Sequence, residues 1–570
     1  MRYLLYLILL VPIFQLSAKT LIRYNQLGYL KGQPLKFVII SDETLQGATW
    51  SILKKESAVE SNTIEDIHVG KTAFTSKKYN YIVLPSSKLE SGTYKFSVGS
   101  SQVTFAILEG IPKVQVENII RYLKAKRSGK NANYLHQPSH LGDTSCLVYT
   151  KRNSNQYWAK TKKRVNMEGG WYDAGDYIKF TLTNAYTTYI LAKAYETNPD
   201  LFSGSDLKEE IKFGLKYLAQ TLPSDYTFII QTGGYLDHTQ GLRLPENDKL
   251  DGKREAYSSL SATQMGYTCA ALSLGARIAD KLDLEDQKKI AYQKLAEKIY
   301  GLAKENITST AWWQGNEREL TQQEVPNVGG TGWETFYADE SPYDNMSLAA
   351  LELYQLTNSK SYKKDALNFG IEAGPGWWAS WGNCNMYANN ELSKISETTT
   401  DALREDLNNF YGIYKQKGNI FGRPHDVTWG TLNSVLIVGS NTAIYDLNNK
   451  KSSYKKLYQD VYNYVYGLNN WGISFVSDTS LAHSFKSSYV PIFRLSKKLG
   501  NIGEVSPGPG DKISHDNLGF NYGKRWEDEF NNSKTVYFDE STDYMTAETT
   551  ITLVADMIYF LAVYDKTNHQ

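Results

Sequence analysis

The sequence predicts a mainly helical protein preceded by an all-β sandwich of the immunoglobulin type. Up to residue 108, short runs of alternating apolar and polar residues are separated by turn residues, as in antiparallel sheets. Beyond residue 112, apolar residues recur three and four positions apart, as on the buried face of amphipathic helices. This change of period predicts a domain boundary, and 570 residues are enough to form two cores.

The chain begins with a segment typical of a signal peptide, which we assign to residues 1–18. A basic second residue precedes an apolar run over residues 4–16, and Ser17-Ala18 offers a small-residue cleavage site. The run is shorter than the roughly 20 residues of a membrane-spanning helix. We therefore expect a secreted or periplasmic protein that has no membrane attachment after cleavage.

Residues 19–108 are predicted to form the sandwich. The period of two residues that is typical of half-buried strands is found in LKFVIIS, ATWSIL, YNYIVLP, GTYKFSVG and SQVTFAIL. The segment 109–112, Glu-Gly-Ile-Pro, breaks the pattern and is expected to be the boundary.

Residues 112–570 are predicted to form a helical domain. Its helical period is clearest in DLKEEIKFGLKYLAQTL, SATQMGYTCAALSLGARIAD and NMSLAALELYQLT. A toroid of paired helices fits the spacing, although the spacing does not specify how the pairs close. The Gly- and Trp-rich connectors GGWYDAGDY, PGWWASWGN and NNWGISF are where a functional site is expected.

Composition narrows the class of partner. The formal net charge is +1, and acidic and basic residues are mixed along the chain, so no nucleic-acid-binding face is predicted. Aromatic residues reach 13% and include 42 Tyr and 12 Trp, which suits a groove that stacks rings on sugars, although helix packing accounts for most of the tyrosines. We expect a polysaccharide or oligosaccharide substrate and a monomeric protein.

The three cysteines, Cys146, Cys269 and Cys384, allow at most one disulfide. Cys269 lies in the apolar run TCAALSLGA and is expected to be a buried small apolar residue. The fold is therefore expected to depend on its core rather than on disulfides.

The first candidate for chemistry is the pair Asp173 and Asp176 in GGWYDAGDY. The two carboxylates are expected on one side of a turn, just before a helical pattern that starts at Ile178, where they could hold one water. Capping of that helix would explain one aspartate. It explains neither the second aspartate nor the small residues Ala174 and Gly175, which let a ligand approach the backbone.

The second candidate is Glu548, in DYMTAE directly before the apolar segment ITLVADMIYFLAVY. We expect it at the N-terminal end of the last helix, where the helix dipole lowers the pKa of a carboxyl group. Apolar cover and nearby carboxylates raise that pKa. A general-acid role therefore requires Asp173 and Asp176 close in space.

These motifs resemble those of glycoside hydrolase family 9, in the subgroup with an N-terminal immunoglobulin-like domain. IRYNQLGYL resembles the opening of that subgroup's sandwich, GGWYDAGDY its DAGD motif, and DYMTAE its D-Y-x-x-N-E motif. The match continues with LDH and PE near residue 240, FYADESPYDN, TWGTL and NNWGISFVS. The resemblance implies an (α/α)6 toroid and an inverting, endo-acting hydrolase of β-1,4-glucosidic bonds in cellulose or related β-glucans.

The resemblance also implies residue roles. Asp176 would be the general base, Asp173 would position the water, and Glu548 would protonate the leaving oxygen. Inversion needs the base and acid carboxyls roughly 6.5–9.5 Å apart. Tyr544 would border the same subsite.

Further substrate contacts are expected around this centre. Asp237 and His238 resemble a groove segment, where we expect them to organise the loop rather than to carry protons. Trp378 and Trp429, in two Trp-containing connectors, are candidates for stacking on sugar. His483 stands alone where the family has a paired His and an Arg, so binding of a sugar hydroxyl and a packing role remain open alternatives.

The sequence departs from the zinc site found in relatives. Ser128, Ser139 and Tyr172 occupy the positions of three zinc ligands, and His140 alone is retained. Because a closed tetrahedral site needs all four ligands, we predict no zinc there and expect hydrogen bonds and Tyr172 packing to replace it.

Calcium is weakly supported. Asp344 matches a residue near the calcium of some relatives, but Asn345 and the segment 381–383 lack the acids that hold a hard cation. No cofactor is expected to be required.

Two rival functions remain open. One is an exo-acting hydrolase of cello- or glucosamine-oligosaccharides, and the other is a catalytically silent glycan-binding protein. The presence of Asp173, Asp176 and Glu548 favours an enzyme over the second rival.

Overall fold

The structure is a computed structural model that describes residues 20–65, 67–71, 76–84, 88–130, 136–151, 158–307, 337, 341–376, 378, 380–496 and 503–569. The predicted signal peptide, residues 1–18, lies outside them. So does most of the segment 308–340, which includes much of FYADES.

The N-terminal part is a sandwich of two sheets, as predicted. Its strands are β1 (Leu21–Arg23), β2 (Tyr29–Leu30), β3 (Leu35–Ser41), β4 (Thr49–Lys54), β5 (Ser57–Thr63), β6 (Ile67–Lys71), β7 (Ser76–Leu84), β8 (Gly92–Val98) and β9 (Ser101–Leu108). One sheet has the order β1-β3-β7-β6 and the other β2-β9-β8-β4-β5. The rings of Phe37 and Phe96 stack between them with centroids 3.9 Å apart, in a core built from the inward-facing residues of both sheets.

Strand β5, like β6, has no counterpart among the predicted runs. Every residue of SAVESNT is exposed, because the strand lies at the sheet edge and pairs with β4 alone. An edge strand with no buried face has no apolar alternation to reveal it.

The larger part is helical. Its helices are α1 (Lys113–Ala125), α2 (Thr181–Thr197), α3 (Leu207–Leu218), α4 (Tyr235–Thr239), α5 (Ala262–Arg277), α6 (Asp286–Glu305), α7 (Tyr343–Thr357), α8 (Lys360–Ala373), α9 (Asn385–Leu392), α10 (Glu397–Tyr414), α11 (Leu432–Asn449), α12 (Lys455–Val465), α13 (Pro491–Leu495), α14 (Lys512–Asn517), α15 (Tyr544–Ala547) and α16 (Ile551–Asn568).

Six of these helices close an inner ring in the order α16, α2, α5, α7, α9 and α11. Helices α1, α3, α6, α8, α10 and α12 pack outside them, so the predicted (α/α)6 toroid is confirmed. The inner helices α2, α5 and α16 are buried on nearly all sides, because they contact both their ring neighbours and an outer helix. The stretch Tyr544–Asn568 is apolar and long enough to cross a membrane, yet 89% of its apolar window is buried within the fold.

A small sheet in the helical part was not predicted. Its strands are β10 (Cys146–Lys151), β11 (Trp158–Val165), β12 (Lys179–Phe180), β13 (Ile229–Thr232) and β14 (Glu255–Ser258). Because Lys179 and Phe180 pair with β13, helix α2 begins at Thr181 rather than near Ile178. A second small ladder pairs β15 (Gly510–Asp511) with β16 (Thr535–Val536).

The sandwich is bonded directly to the toroid. Asn25 Nδ2 donates to Asn463 Oδ1 at 2.9 Å, and Lys36 Nζ forms an ion pair with Asp460 Oδ2 at 3.0 Å, both away from solvent. All three cysteines are buried and none is in a disulfide, and Cys269 is fully buried within α5, as predicted.

Candidate active site

The loop that carries Asp173 and Asp176 lies at the N-terminal ends of the two neighbouring inner helices α2 and α16. The Ile551 amide, at the start of α16, donates to the Asp173 carbonyl at 3.1 Å, which joins two segments distant in sequence. The loop closes on itself where the Asp173 amide donates to the Ile178 carbonyl at 3.1 Å. Buried Lys126 donates from below to the Ala174 carbonyl. The position of both aspartates is therefore fixed by backbone contacts.

Glu548 lies directly over this loop. Its Oε1 accepts a hydrogen bond from the Gly175 amide at 2.8 Å. The predicted place at the N-terminal end of the last helix is wrong: Glu548 has an extended backbone after α15, and α16 begins three residues beyond it. Thr550 caps α16 by accepting from the Leu553 amide at 3.1 Å.

The surroundings of Glu548 raise the pKa of its carboxyl group. Burial raises its pKa to about 7, the negative charge of Asp176 acts in the same direction, and the Gly175 amide opposes them. A substantial fraction of Glu548 is therefore protonated near neutral pH, as a general acid requires.

Asp173 is buried, and its carboxylate is bonded to a tyrosine. The Tyr337 hydroxyl donates to Asp173 Oδ2, while Asp173 Oδ1 has no hydrogen-bond partner among the residues that the structure describes. Burial raises the pKa of Asp173 to about 7, against the effect of hydrogen bonding to Thr183 and Tyr337 and of the Lys126 charge. The sequence reasoning did not assign a role to Tyr337, although FYADESPYDN, which contains it, had been noted.

Asp176 faces the open side of the loop and contacts His238. Its Oδ1 accepts from the Ile178 amide at 3.1 Å, and its Oδ2 lies 2.8 Å from His238 Nδ1. The hydrogen bond to Asp176 raises the pKa of His238, which favours the imidazolium. His238 thus bonds directly to one of the three carboxylates, beyond the loop-organising role expected from the sequence.

Asp237 points away from the site. It is fully buried, accepts from the Gly234 amide at 3.1 Å, and its Oδ1 lies 3.6 Å from Arg254 Nε. Burial raises the pKa of Asp237 to about 7. The prediction that Asp237 contacts substrate is corrected by this burial. The buried position fits a role in organising the loop that carries His238.

Aromatic rings border Glu548 on one side. Trp429 stacks on Tyr544 with centroids 5.7 Å apart, and Tyr489 meets Tyr544 edge to face at 5.9 Å. Trp429 is 49% exposed, so its face is available to a ligand. Tyr489, which the sequence reasoning missed, packs so closely on Gly175 that a Cβ there would lie 2.7 Å from its ring.

A second group of rings leads to Asp173. Trp378 meets Trp381 edge to face at 5.0 Å, and Trp381 meets Tyr337 in the same way at 4.7 Å. Tyr337 donates to Asp173, so Trp378 is connected to the carboxylates through two rings. The structure thus places Trp378, Trp429 and Tyr544 around one centre.

Comparison with known proteins identifies the family. The sequence model of glycosyl hydrolase family 9 matches residues 114–561. The chain belongs to this family. It is a glycoside hydrolase of the endoglucanase type, as its relatives and its fold agree.

Among its relatives, the chain is 25% identical over 422 residues to a xyloglucan-specific endo-β-1,4-glucanase of Bacteroides ovatus, covering 68% of this chain and 67% of the relative. It is 22% identical over 374 residues to endoglucanase A of Fibrobacter succinogenes, covering 58% of this chain and 74% of that one. The crystal structure of a metagenome-derived family 9 endoglucanase superposes with a TM-score of 0.76 at 19% identity, over 96% of this chain and 99% of the other. A family 9 structure from Bacteroides ovatus gives the same TM-score of 0.76 at 20% identity, over 96% and 98% of the two chains.

His483 lies in the cleft between the family 9 toroid and the sandwich. Its amide donates to Gln26 Oε1 at 2.7 Å, and Gln26 Nε2 donates to its carbonyl at 2.9 Å. Burial and the positive charges of Arg23 and Lys486 lower the pKa of its imidazole. Both hydrogen bonds are made by backbone atoms of His483 and hold this segment against the sandwich, and the role of its imidazole stays a prediction.

The positions of the zinc ligands of some family 9 members hold a hydrogen-bonded cluster here. The Tyr172 hydroxyl lies 2.7 Å from Ser139 Oγ and 2.5 Å from His140 Nδ1, and His140 Nε2 lies 3.0 Å from Asp248 Oδ2. Burial lowers the pKa of His140 to about 4, so the neutral imidazole joins these groups.

One group of described residues has donor atoms close enough for a metal: His140, Asp237 and Asp248 lie within 4.8 Å of one another. Both carboxylates, however, contact a guanidinium group. Arg243 donates to Asp248 at 2.7 Å, and Arg254 lies 3.6 Å from Asp237. Two positive charges at the carboxylates do not fit a cation site.

The residues matching the calcium site fit calcium poorly. Asp344 is buried and its Oδ2 accepts from the Cys384 amide at 2.8 Å, while burial raises its pKa to about 6. A hard cation needs several ionised oxygen ligands, and Asn345 contributes no charge.

Proposed function

We propose that the chain is an inverting, endo-acting β-1,4-glucanase. The observation that carries the proposal is the contact of Glu548 with the Gly175 amide, between the positions of Asp173 and Asp176. An acid and a base on opposite sides of one glycosidic bond are what single-displacement hydrolysis requires.

Glu548 is the general acid in this mechanism. It protonates the glycosidic oxygen as the bond to the anomeric carbon breaks, which spares the leaving sugar a negative charge. Its pKa of about 7 supports this role, because burial and the Asp176 charge keep part of it protonated near neutral pH.

Asp176 is the general base. It takes a proton from water that attacks the anomeric carbon from the face opposite the leaving group, and this inverts the configuration. His238, 2.8 Å away, holds the carboxylate in position and stabilises its charge. Asp173, which is held by the Tyr337 hydroxyl at Oδ2, positions the same water.

The substrate is a neutral β-glucan. Trp429 stacks on Tyr544 near Glu548, and Trp378 is connected to Asp173 through Trp381 and Tyr337. Such rings suit a chain of equatorially linked glucose units whose faces are apolar. The relative from Bacteroides ovatus is described as xyloglucan-specific, so xyloglucan stands beside cellulose among the substrates to test. We also propose that residues 1–18 are a signal peptide that directs export of the protein. It acts as a monomer and requires no metal.

The experiment combines a substrate screen with the stereochemistry of the product. Purified protein is incubated with carboxymethylcellulose, lichenan, xyloglucan and chitosan oligomers, while reducing ends and viscosity are followed. Proton NMR during early turnover of the best substrate is expected to show the α-anomer first. Early β-anomer would contradict inversion, and release of single sugars without loss of viscosity would favour the exo-acting rival.

A matched pair of variants separates chemistry from binding. Asp176→Asn should abolish turnover while cello-oligosaccharides still bind, whereas Glu305→Gln, at an exposed position on α6, should behave as the parent. If parent and Asp176→Asn bind equally and neither releases reducing ends, the chain is the silent glycan-binding protein.

A further inference from the structure

An aromatic cavity lies next to the candidate active site. It is lined by residues between β15 and β16, together with Val536 and Phe538. Its volume is about 900 Å³, within the range of roughly 300–1,000 Å³ that is common for small-molecule sites. Asp173, Asp176 and Glu548 do not line it. Its function is therefore separate from the bond-breaking step.

Aromatic side chains form its wall. Phe520 and Tyr522 stack with centroids 5.6 Å apart, and His515 stacks on Phe538 at 4.9 Å. Trp526 also lines the cavity and is 48% exposed. Exposed rings beside an open cavity are typical of a surface that binds a ligand with apolar faces.

One lining residue of the cavity, Phe520, contacts the aromatic border of Glu548. Phe520 meets Tyr544 edge to face at 5.0 Å, and Tyr544 stacks on Trp429. On the same wall, His515 Nε2 lies 3.0 Å from Asp543 Oδ2. The other Asp543 oxygen caps α15, the single turn that directly precedes Glu548.

The charges of the cavity favour a neutral ligand. Its lining has matched basic and acidic residues, Lys512, Lys524 and Arg525 against Asp516, Asp528 and Glu529. Two of these cations are ion-paired, since Lys512 lies 2.7 Å from Asp516, and Arg525 lies 2.8 Å from Glu540, which is outside the lining. Rings together with hydrogen-bonding groups and no net charge fit a sugar better than an anion or a cationic peptide.

We propose that this cavity is an accessory subsite, which binds sugar units of the same β-glucan chain at a distance from the bond being cleaved. This inference rests on the proposed function. A chain that stacks on Trp429 and Tyr544 continues past Phe520 into the cavity, where Trp526 and Tyr522 provide the next faces. The subsite adds affinity for long chains and contributes nothing to short ones that end before it.

The test uses the exposed ring of the cavity and a matched ring elsewhere. Trp526→Ala removes the former, Trp526→Phe restores a ring, and Tyr226→Ala removes a ring that is 81% exposed and outside the cavity. For each variant kcat/KM is measured on cello-oligosaccharides of increasing length and on the best polysaccharide. We expect Trp526→Ala to lose about tenfold on long chains, mainly through KM, and progressively less as the chain shortens. Trp526→Phe should recover most of the loss, and Tyr226→Ala should match the parent.

Binding is measured independently of turnover in the Glu548→Gln background by calorimetry with cellohexaose. Weaker binding on adding Trp526→Ala supports the subsite even if no hydrolysable substrate has been found. Failure of the subsite proposal can therefore be distinguished from failure of the proposed function. Equal affinity with and without Trp526, or a loss of kcat/KM that is the same at every chain length, would overturn the subsite. Circular dichroism and thermal unfolding of each variant exclude misfolding as the cause.

Discussion

The Gly175 amide donates to Glu548 Oε1 at 2.8 Å, although the two residues are 373 positions apart in sequence. The contact leaves no space at the glycine, since a Cβ there would lie 2.5 Å from the carboxylate oxygen and 2.7 Å from the Tyr489 ring. Glycine is therefore required at this position by the proximity of the acid and not by an unusual backbone angle.

Gly175→Ala should displace Glu548 while the fold persists. We expect kcat to fall at least about 100-fold, because a shift on the order of 1 Å in a positioned group is enough for such a loss. The control is Gly301→Ala on α6, where a Cβ would meet nothing within 4 Å and alanine favours the helix by about 1 kcal/mol. Steady-state kinetics with thermal unfolding would check both, and an active Gly175→Ala enzyme would contradict the arrangement.

Glu548→Gln should remove general-acid catalysis, at a cost of about 100-fold to 10,000-fold in kcat on polysaccharide. An aryl glycoside whose leaving group needs no proton should lose much less. The ratio of the two losses is the measurement that matters, because damage to binding would lower both rates alike.

Activity should decline as the pH rises through about 7. Glu548 acts in its protonated form, and burial raises its pKa to about 7, so the alkaline limb of kcat/KM reports its deprotonation. Because the folded protein holds this proton more tightly than the unfolded chain, the contribution of Glu548 to stability is present at acid pH and is lost as the pH rises from its unfolded pKa through about 7. Unfolding titrations of parent and Glu548→Gln at several pH values would test the second statement.

His238→Asn should move that alkaline limb to higher pH. The positive charge of His238 lowers the pKa of Glu548, whereas Asp176 raises it. Without the imidazolium, Glu548 keeps its proton longer, while Asp176 loses a partner at 2.8 Å and kcat falls. A pH profile of unchanged midpoint would show that His238 has only a structural effect.

The parts of the fold and of the site that could be predicted from the sequence are those that leave a periodic pattern or a motif in it. The helical domain and the sandwich followed from the change of hydrophobic period, and closure into an (α/α)6 toroid followed from the family resemblance, whereas β5 has no buried face and β12 has only two residues. Asp173, Asp176 and Glu548 stand in motifs and could be named. Tyr489 and Lys126 contact the same loop through folding alone, and nothing in their local sequence marks them.

Glu548 also illustrates why an exact helix boundary cannot be obtained from periodicity. The apolar pattern of α16 begins close to Glu548, but the helix itself starts after Thr550, whose hydroxyl accepts from the Leu553 amide. Thr549 and Thr550 separate the acid from the helix, and the Glu548 side chain reaches the Gly175 amide.

Restoring the zinc ligands that the sequence lacks tests the expectation that hydrogen bonds around Tyr172 take the place of a metal. The Tyr172 hydroxyl contacts both Ser139 and His140, so these side chains already converge on one point. We expect the triple variant Ser128→Cys, Ser139→Cys, Tyr172→His to bind one zinc per chain, by elemental analysis, and to unfold at a higher temperature than its chelator-treated form, because a structural zinc adds its binding free energy to folding. Adding His140→Ala should abolish both effects. The parent should contain no zinc and keep its unfolding temperature in chelator, and stoichiometric zinc in the parent would contradict the hydrogen-bonded replacement.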